Sequence, residues 1–301
     1  MPAPIVLFVY NRFIHARQTV EALQKNALAK ESDLIVYSDA PKESSAVGAV
    51  CAVRNYVKTI AGFRSISIVE RDRNWGLANS VIDGVTTVVN QYGRIIVLED
   101  DLVTSPNFLE YMNAALFHYE RDPKAFSIGA YNFPDKTMPI PSDYSWDTYA
   151  SFRCCSWGWA TWSDRWNRVD WSMNYYETFM RDQVARESFN RGGPDMTQTL
   201  KMQHEGRIDS WAIRFCYAHY ANTMYCIYPA KTLVMNIGLD HSGMHCGIDP
   251  RREHSSFDEQ WTPRAFCPAD EVDARIARSF HDAFAPPKRS LVTRILHRLS
   301  T

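Results

Sequence analysis

The chain has 301 residues, 46% of them hydrophobic and 22% charged, with a formal net charge of -1. That length buries a sizeable core as one large domain, or as one domain with a smaller lobe, and the near-zero charge leaves no electrostatic footprint for a nucleic-acid backbone. Seven cysteines, at 51, 154, 155, 216, 226, 246 and 267, lack paired C-x-x-C spacing; this argues against a disulfide framework or a zinc ribbon and for free thiols in a reducing, cytoplasmic setting.

The first apolar run, Ile5 to Tyr10, is too short to be exported or to span a membrane and reads as a core strand. His15 to Lys30 follows with Ala16, Val20, Leu23 and Ala27 at helical spacing, then a strand at Leu34–Tyr37 closing on Ser38-Asp39-Ala40-Pro41. Ser45 to Ala61 carries Val50, Val53, Val57 and Ile60 on one helical face, and Ile66–Val69 is the next strand, closing on Glu70-Arg71-Asp72. Leu77 to Tyr92 repeats the helical pattern with Leu77, Val81, Val85 and Val88. A fourth strand, Ile95–Leu98, ends in three carboxylates, Glu99, Asp100 and Asp101. Strand and helix alternate four times, which predicts an α/β fold with a parallel sheet and right-handed crossovers.

In such a sheet the polar strand ends, Asn11-Arg12, Asp39, Asp72-Arg73 and Glu99-Asp100-Asp101, gather along one edge, where a nucleotide-sized crevice is expected. No G-x-G-x-x-G loop and no G-x-x-x-x-G-K-[ST] loop occurs, which disfavours dinucleotide and P-loop chemistry. Clustered acids at that edge repel one another unless a cation or bound hydroxyls offset the charge. A strand points Glu99 and Asp101 to one side and Asp100 to the other, so Asp101, nearest the loop, is assigned to a metal, Mn2+ or Mg2+.

After about residue 125 the texture changes to short strands and many aromatics, with Trp146, Trp157, Trp159, Trp162, Trp166, Trp171 and Trp211. No Gly/Ser linker intervenes, so residues 1–285 are expected to form one domain, 1–125 holding the donor and 126–285 the acceptor side. Residues 286–301 read as a basic amphipathic helix that docks on its own domain or makes peripheral contact with a membrane surface.

FVYNR (8–12), SDAP (38–41), RNWGLANS (73–80) and LEDDLVTSPNFL (98–109) together resemble the nucleotide-sugar-binding half of GT-A-fold glycosyltransferases. Within that fold the chain is most similar to the N-acetylglucosaminyltransferase I-like group and its bacterial relatives, from residue 4 to about 247. The resemblance implies a Rossmann-like, mostly parallel central sheet flanked by helices. It further implies metal-dependent, inverting transfer of a hexosyl or N-acetylhexosaminyl group from a nucleoside-diphosphate sugar, UDP-sugar favoured, to a hydroxyl of a glycan or glycolipid. By the same resemblance Tyr10, Asn11, Arg12, Asp39, Asn79, Glu99 and Asp100 lie on the donor side. Asp39 then faces the nucleobase, Arg12 supports the acidic cluster or the diphosphate, Glu99 and Asp100 orient hydroxyls, and Asp101 binds Mn2+.

In SWGWATWSDRW (156–166), Trp162 and Trp166 read as core. Trp157-Gly158-Trp159 resembles the element that lines the sugar site in that family, glycine letting backbone approach a ligand. In RIDSWAIRF (207–215), Asp209 is either a helix N-cap or, by resemblance, the base that takes the acceptor proton; Asp240, Glu205 and Asp195 are its rivals. NIGLDHSGMHCG (236–247) carries His245, a candidate late metal or diphosphate ligand by the same resemblance, with His241 as alternate. The competing readings are a sugar nucleotidyltransferase, for which FVYNRFIHAR lacks the glycine-rich loop, and a non-catalytic carbohydrate-binding protein.

Overall fold

In the computed structural model, residues 1–240, 251–252 and 256–285 are described. The N-terminal half alternates as expected: β1 (Ile5–Val9), α1 (Phe13–Gln24), β2 (Asp33–Ser38), α2 (Val47–Val57), β3 (Ser65–Glu70), α3 (Leu77–Tyr92) and β4 (Arg94–Glu99), then β5 (Leu102–Thr104) and α4 (Phe108–His118). The second half adds β6 (Ala125–Gly129), β7 (Thr148–Ser151), β8 (Trp159–Trp162), α5 (Ser163–Trp166), α6 (Tyr176–Arg181), α7 (Gln183–Phe189), α8 (Met196–His204), α9 (Trp211–Ala221), β9 (Tyr225–Pro229), β10 (Val234–Asn236) and α10 (Ala274–Ala283).

Two predicted helices are shorter than their periodicity suggested. The first stops at Gln24 because Asn26 turns extended and bonds its own side chain to Ala22 O and Leu109 N, leaving Ala27–Glu31 as a 3-10 turn. The second spans Val47–Val57 and is preceded by a 3-10 turn at Ser44–Ala46. The third matches its prediction and ends at Gly93, whose φ of 80° is the left-handed cap that favours glycine.

Among the described residues one sheet of eight strands runs in the order β3-β2-β1-β4-β8-β6-β9-β7. The first four are parallel, with Leu7 opposite Val36 on one side and Leu98 on the other. β8 is antiparallel to both β4 and β6, so β6 regains the direction of β4, β9 is parallel to β6, and only β8 and β7 oppose the rest. This is the expected mostly parallel α/β architecture. Alternate side chains of each strand feed two cores: Leu7, Val36 and Leu98 pack with α1, α2 and α4, while Val6, Phe8 and Val97 pack with α3 and α9. β5 and β10 form a separate two-stranded ribbon directly after the acidic turn. Among the described residues no helix is long and apolar enough to cross a membrane.

His219 sits in the second core with no exposure, between Phe126 and Phe215. Its Nδ1 donates to Phe215 O and its Nε2 accepts from Ser127, both at 2.7 Å, and burial lowers its pKa to about 4. Its folded pKa therefore lies below the unfolded one, so its contribution is complete above pH 6.5 and is lost as pH falls toward 4. Denaturant midpoints across that window should fall relative to a His219→Gln variant by the equivalent of ~3 kcal/mol. Parallel curves for the two proteins would contradict this.

Candidate active site

The C-terminal ends of β1, β2 and β4 converge as the parallel order demands. At the end of β4 the chain turns through Asp100 and Asp101, both 4% exposed, into β5. Arg12, in the bend before α1, places one guanidinium nitrogen against Asp100 and 2.9 Å from Asp101 Oδ2. Tyr10 N reaches Asp100 Oδ2 at 3.4 Å, and Thr19 Oγ1 donates to Asp100 O at 2.8 Å. Backbone from β1 and a side chain from α1 thus fix the turn before any ligand arrives.

Charge in this turn is out of balance. Burial, then repulsion by Asp101 and Asp100, pushes Glu99 up to about 8, and Arg12 offsets only part of this. Burial also pushes Asp100 up to about 6 against the pull of Arg12. The other nitrogen of Arg12, Nη1, is buried and has no hydrogen-bond partner among the described residues. An anionic group is what that nitrogen lacks, and a cation is what the carboxylates lack.

A strap from β10 closes over the turn. Ile237 N donates to Asp101 O at 2.9 Å, and a Cβ built on Gly238 would lie 2.2 Å from Asp101 Oδ2 and 2.8 Å from Arg12 Nη1. Only a residue without a side chain fits there. At the far end of the strap Asp240 pairs with His15 of α1 at 3.2 Å. In the sequence Gly238, with Gly243, marks a loop folded closely over something, but what Gly238 presses on is not legible there, because Asp101 lies more than a hundred positions away.

Asp39 is buried, and both its oxygens are spent on backbone: Oδ1 accepts from Ala40 N and Trp75 N at 2.9 Å, and Oδ2 from Trp75 N at 3.2 Å and Gly76 N at 3.0 Å. It therefore anchors the 71–76 loop, and its carboxylate is not left open toward a nucleobase as the resemblance implied. Asn74 adds a bond to Ala40 O, and Arg71 lies 4.0 Å over the Trp75 ring. Arg54 of α2 donates to Ser38 O and Asp39 O at 3.4 Å and to Arg71 O at 2.7 Å, clamping the ends of β2 and β3. It also pairs with Glu70 Oε2 at 3.3 Å and bonds Ser38 Oγ at 3.4 Å, and nothing in the sequence marked it, since most of its partners are main-chain carbonyls. Asn79 is exposed on α3 and bonds Trp75 O at 3.0 Å, while Asn11 is half-buried beside Arg12.

Asp209 is exposed, 3.8 Å from Arg214. It is not the cap of α9, because Ser210 is, accepting from Ile213 N. A Cβ on Gly76 would lie 3.8 Å from Asp209 Oδ2, so this carboxylate stands at the rim of the 71–76 loop that Asp39 holds. Its rivals are otherwise engaged: Asp195 with Arg153 at 2.7 and 3.0 Å, Glu205 with Lys201 and Arg207, and Asp240 with His15.

Gly158, at φ 65°, packs where a Cβ would meet Val234, Phe108 and Ala130, which seats the turn before β8 against the ribbon behind the acidic turn. Trp157 is half-buried, edge-on to Tyr131 at 4.5 Å. Trp159 requires correction. It is 1% exposed and stacked between Trp166 at 5.7 Å and Trp211 at 4.9 Å, so it belongs to the core with Trp162 and Trp166 and lines no open space. In register with Val97, it packs in the core between the sheet, α3 and α9. His245, His241 and the 286–301 segment lie outside the described residues.

Known structures of similar shape include a mannosyltransferase of Pyrobaculum calidifontis in complex with GDP-Man and Mn2+, 13% identical over 74% of this chain and 73% of that one, with a TM-score of 0.41. TarS of S. aureus is 10% identical over 78% of this chain but only 36% of its own, at 0.41, and a UDP-glucose pyrophosphorylase complexed with UDP-glucose is 12% identical over 75% and 90%, at 0.39. Overlaps this loose do not bear on donor, metal or reaction. The family model does bear on identity: that of the GNT-I family matches residues 1–211, more than two thirds of the chain, so the protein belongs to the GNT-I family and is a glycosyltransferase.

Proposed function

We propose that the protein is a divalent-metal-dependent, inverting glycosyltransferase that moves a sugar from a nucleoside-diphosphate donor, UDP-sugar favoured, to a hydroxyl of a glycan or glycolipid acceptor. The observation that carries this reading is the charge of the acidic turn, where among the described residues Asp100 and Asp101 share the one guanidinium of Arg12, with the buried Glu99 beside them.

The residues present fit a divalent ion. Asp101 gives Oδ2 to Arg12, while its Oδ1 has no hydrogen bond among the described residues. No group of three His, Cys, Asp or Glu forms a closed cage there among those residues, so the ion would rest on Asp101 with diphosphate oxygens and water completing its shell. When bound, the metal supplies neutralisation of the charge that develops on the diphosphate leaving group. The chain's own residues do the rest. Arg12 offers its Nη1, without a partner among the described residues, to a diphosphate oxygen, Glu99 and Asp100 accept from donor hydroxyls, and Trp157 offers an aromatic edge at the sugar end. Asp39, Asn74 and Arg54 keep the 71–76 loop as the wall of the crevice. Asp209, exposed at that wall, takes the proton from the acceptor hydroxyl as it attacks the anomeric carbon.

Incubation with a panel of nucleotide sugars and Mn2+, reading nucleoside diphosphate release, should single out one donor, with release abolished by EDTA. No metal-dependent release or binding with any donor would sink the reading. The acceptor side carries a separate expectation: with Leu291, Val292, Ile295, Leu296 and Leu299 flanked by Lys288, Arg289, Arg294 and Arg298, the 286–301 segment should bring the protein up with anionic vesicles in a flotation gradient. Equal non-binding with and without that segment would remove the membrane from the proposal.

A further inference from the structure

Four of the described cysteines, Cys154, Cys155, Cys216 and Cys226, are buried close together where β6 and β9 meet α9. One pair stands apart. Cys154, in the loop after β7, and Cys216, on α9, bring their Sγ atoms to 3.1 Å, closer than ordinary non-bonded sulfur contact. Both line a cavity of about 130 Å³ that they share with Arg153, Trp157 and Ser210. The cavity has room for a molecule a few atoms across.

We propose that Cys154 and Cys216 are a peroxide-oxidisable dithiol, a modification site at which a disulfide links the loop after β7 to α9. The two thiols are unequal. Burial opposes ionisation of Cys216, but its hydrogen bond with Cys154 and the nearby Arg153 guanidinium outweigh burial and pull its pKa below the ordinary thiol value. Burial and the same partner push Cys154 well up. Burial also pushes Cys155 up to about 11 and raises Cys226 and Cys267, so Cys216 is the favoured thiolate of this group.

The chemistry balances with hydrogen peroxide as oxidant. The Cys216 thiolate attacks one peroxide oxygen, the O–O bond breaks, and the leaving hydroxide takes a proton to become water, leaving a sulfenic acid on Cys216. Cys154 then loses its proton and attacks that sulfur, the S–O bond breaks, and a second water leaves. One peroxide is reduced to two waters and two thiols are oxidised to one disulfide. The small cavity admits peroxide more readily than a bulky organic disulfide.

The crosslink would tie the loop leading to Trp157 to the helix that begins after Asp209 and Ser210. That consequence for turnover rests on the proposed function, whereas the crosslink does not, so the test is made on the bonds themselves. The reduced full-length protein is treated with one equivalent of hydrogen peroxide and mapped by peptide mass spectrometry. The expected result is a 154–216 peptide pair that dithiothreitol separates, retained in a Cys155→Ser variant and lost in Cys154→Ser. In Cys154→Ser a dimedone adduct should accumulate on Cys216. A crosslink through Cys155 or Cys246 in wild type, or overoxidation of Cys216 without any crosslink, would overturn the proposal.

Discussion

Asp209→Asn is expected to lower kcat by about 10²- to 10⁴-fold, the usual worth of a positioned general base, while Mn2+-dependent donor binding stays as in wild type. The fold gives this variant little reason to fail in any other way. Ser210 caps α9, so no cap is lost, and the 3.8 Å pair with Arg214 involves a carboxylate that is 57% exposed and contributes little to stability. Asp101→Asn is the counterpart and should lose metal-dependent donor affinity first. Steady-state kinetics beside titration calorimetry separates the two, and a loss of donor binding in both alike would remove Asp209 from the role of base.

Gly238→Ala is expected to weaken donor binding by about tenfold or more and to lower the thermal midpoint, because overpacking of this kind costs about 1–3 kcal/mol. The new Cβ would stand 2.2 Å from Asp101 Oδ2 and 2.8 Å from Arg12 Nη1, and neither side chain is free to swing away, since Asp101 Oδ2 accepts from the other terminal nitrogen of the same guanidinium, Nη2, at 2.9 Å. Either the strap lifts from the acidic turn or the Arg12–Asp101 pair separates, and both disturb the groups proposed to meet metal and diphosphate. Gly48→Ala is the matched control. It sits exposed on α2 with nothing within 4 Å of the added atom, and alanine is the better helix former there. If Gly238→Ala binds donor as wild type does, the strap does not govern the turn.

Much of the N-terminal half was legible because its information is local. Val81, Val85 and Val88 repeat at helical spacing, the run Ile95–Leu98 is apolar on both faces, and each strand closes on polar residues, so helices, strands and their parallel order follow from period and connection rules. The second half hid its decisive pairings. β8 inserts antiparallel between β4 and β6, and Val97 meets Trp159 across that seam, which no short-range period encodes. The sequence pattern therefore misplaces Trp159 at the crevice, while the spacing by four puts Trp162 and Trp166 in the core, where they lie. Asp39 is a different kind of difficulty. A carboxylate at a strand end looks the same in sequence whether it awaits a ligand or is filled by the amides of Ala40, Trp75 and Gly76. Asp209 poses the same ambiguity at the head of α9, cap or base, and only the bond from Ile213 N to Ser210 Oγ shows that the cap is its neighbour.

The acidic turn is proposed to hold a nucleoside diphosphate through a divalent cation. Calorimetric titration of UDP into the wild-type protein with Mn2+, with EDTA, and into Asp101→Asn tests it most directly. Binding is expected in Mn2+, with its loss in EDTA and a strong weakening in Asp101→Asn at the same metal concentration. UDP affinity that is equal with and without metal, or indifferent to Asp101→Asn, would contradict it.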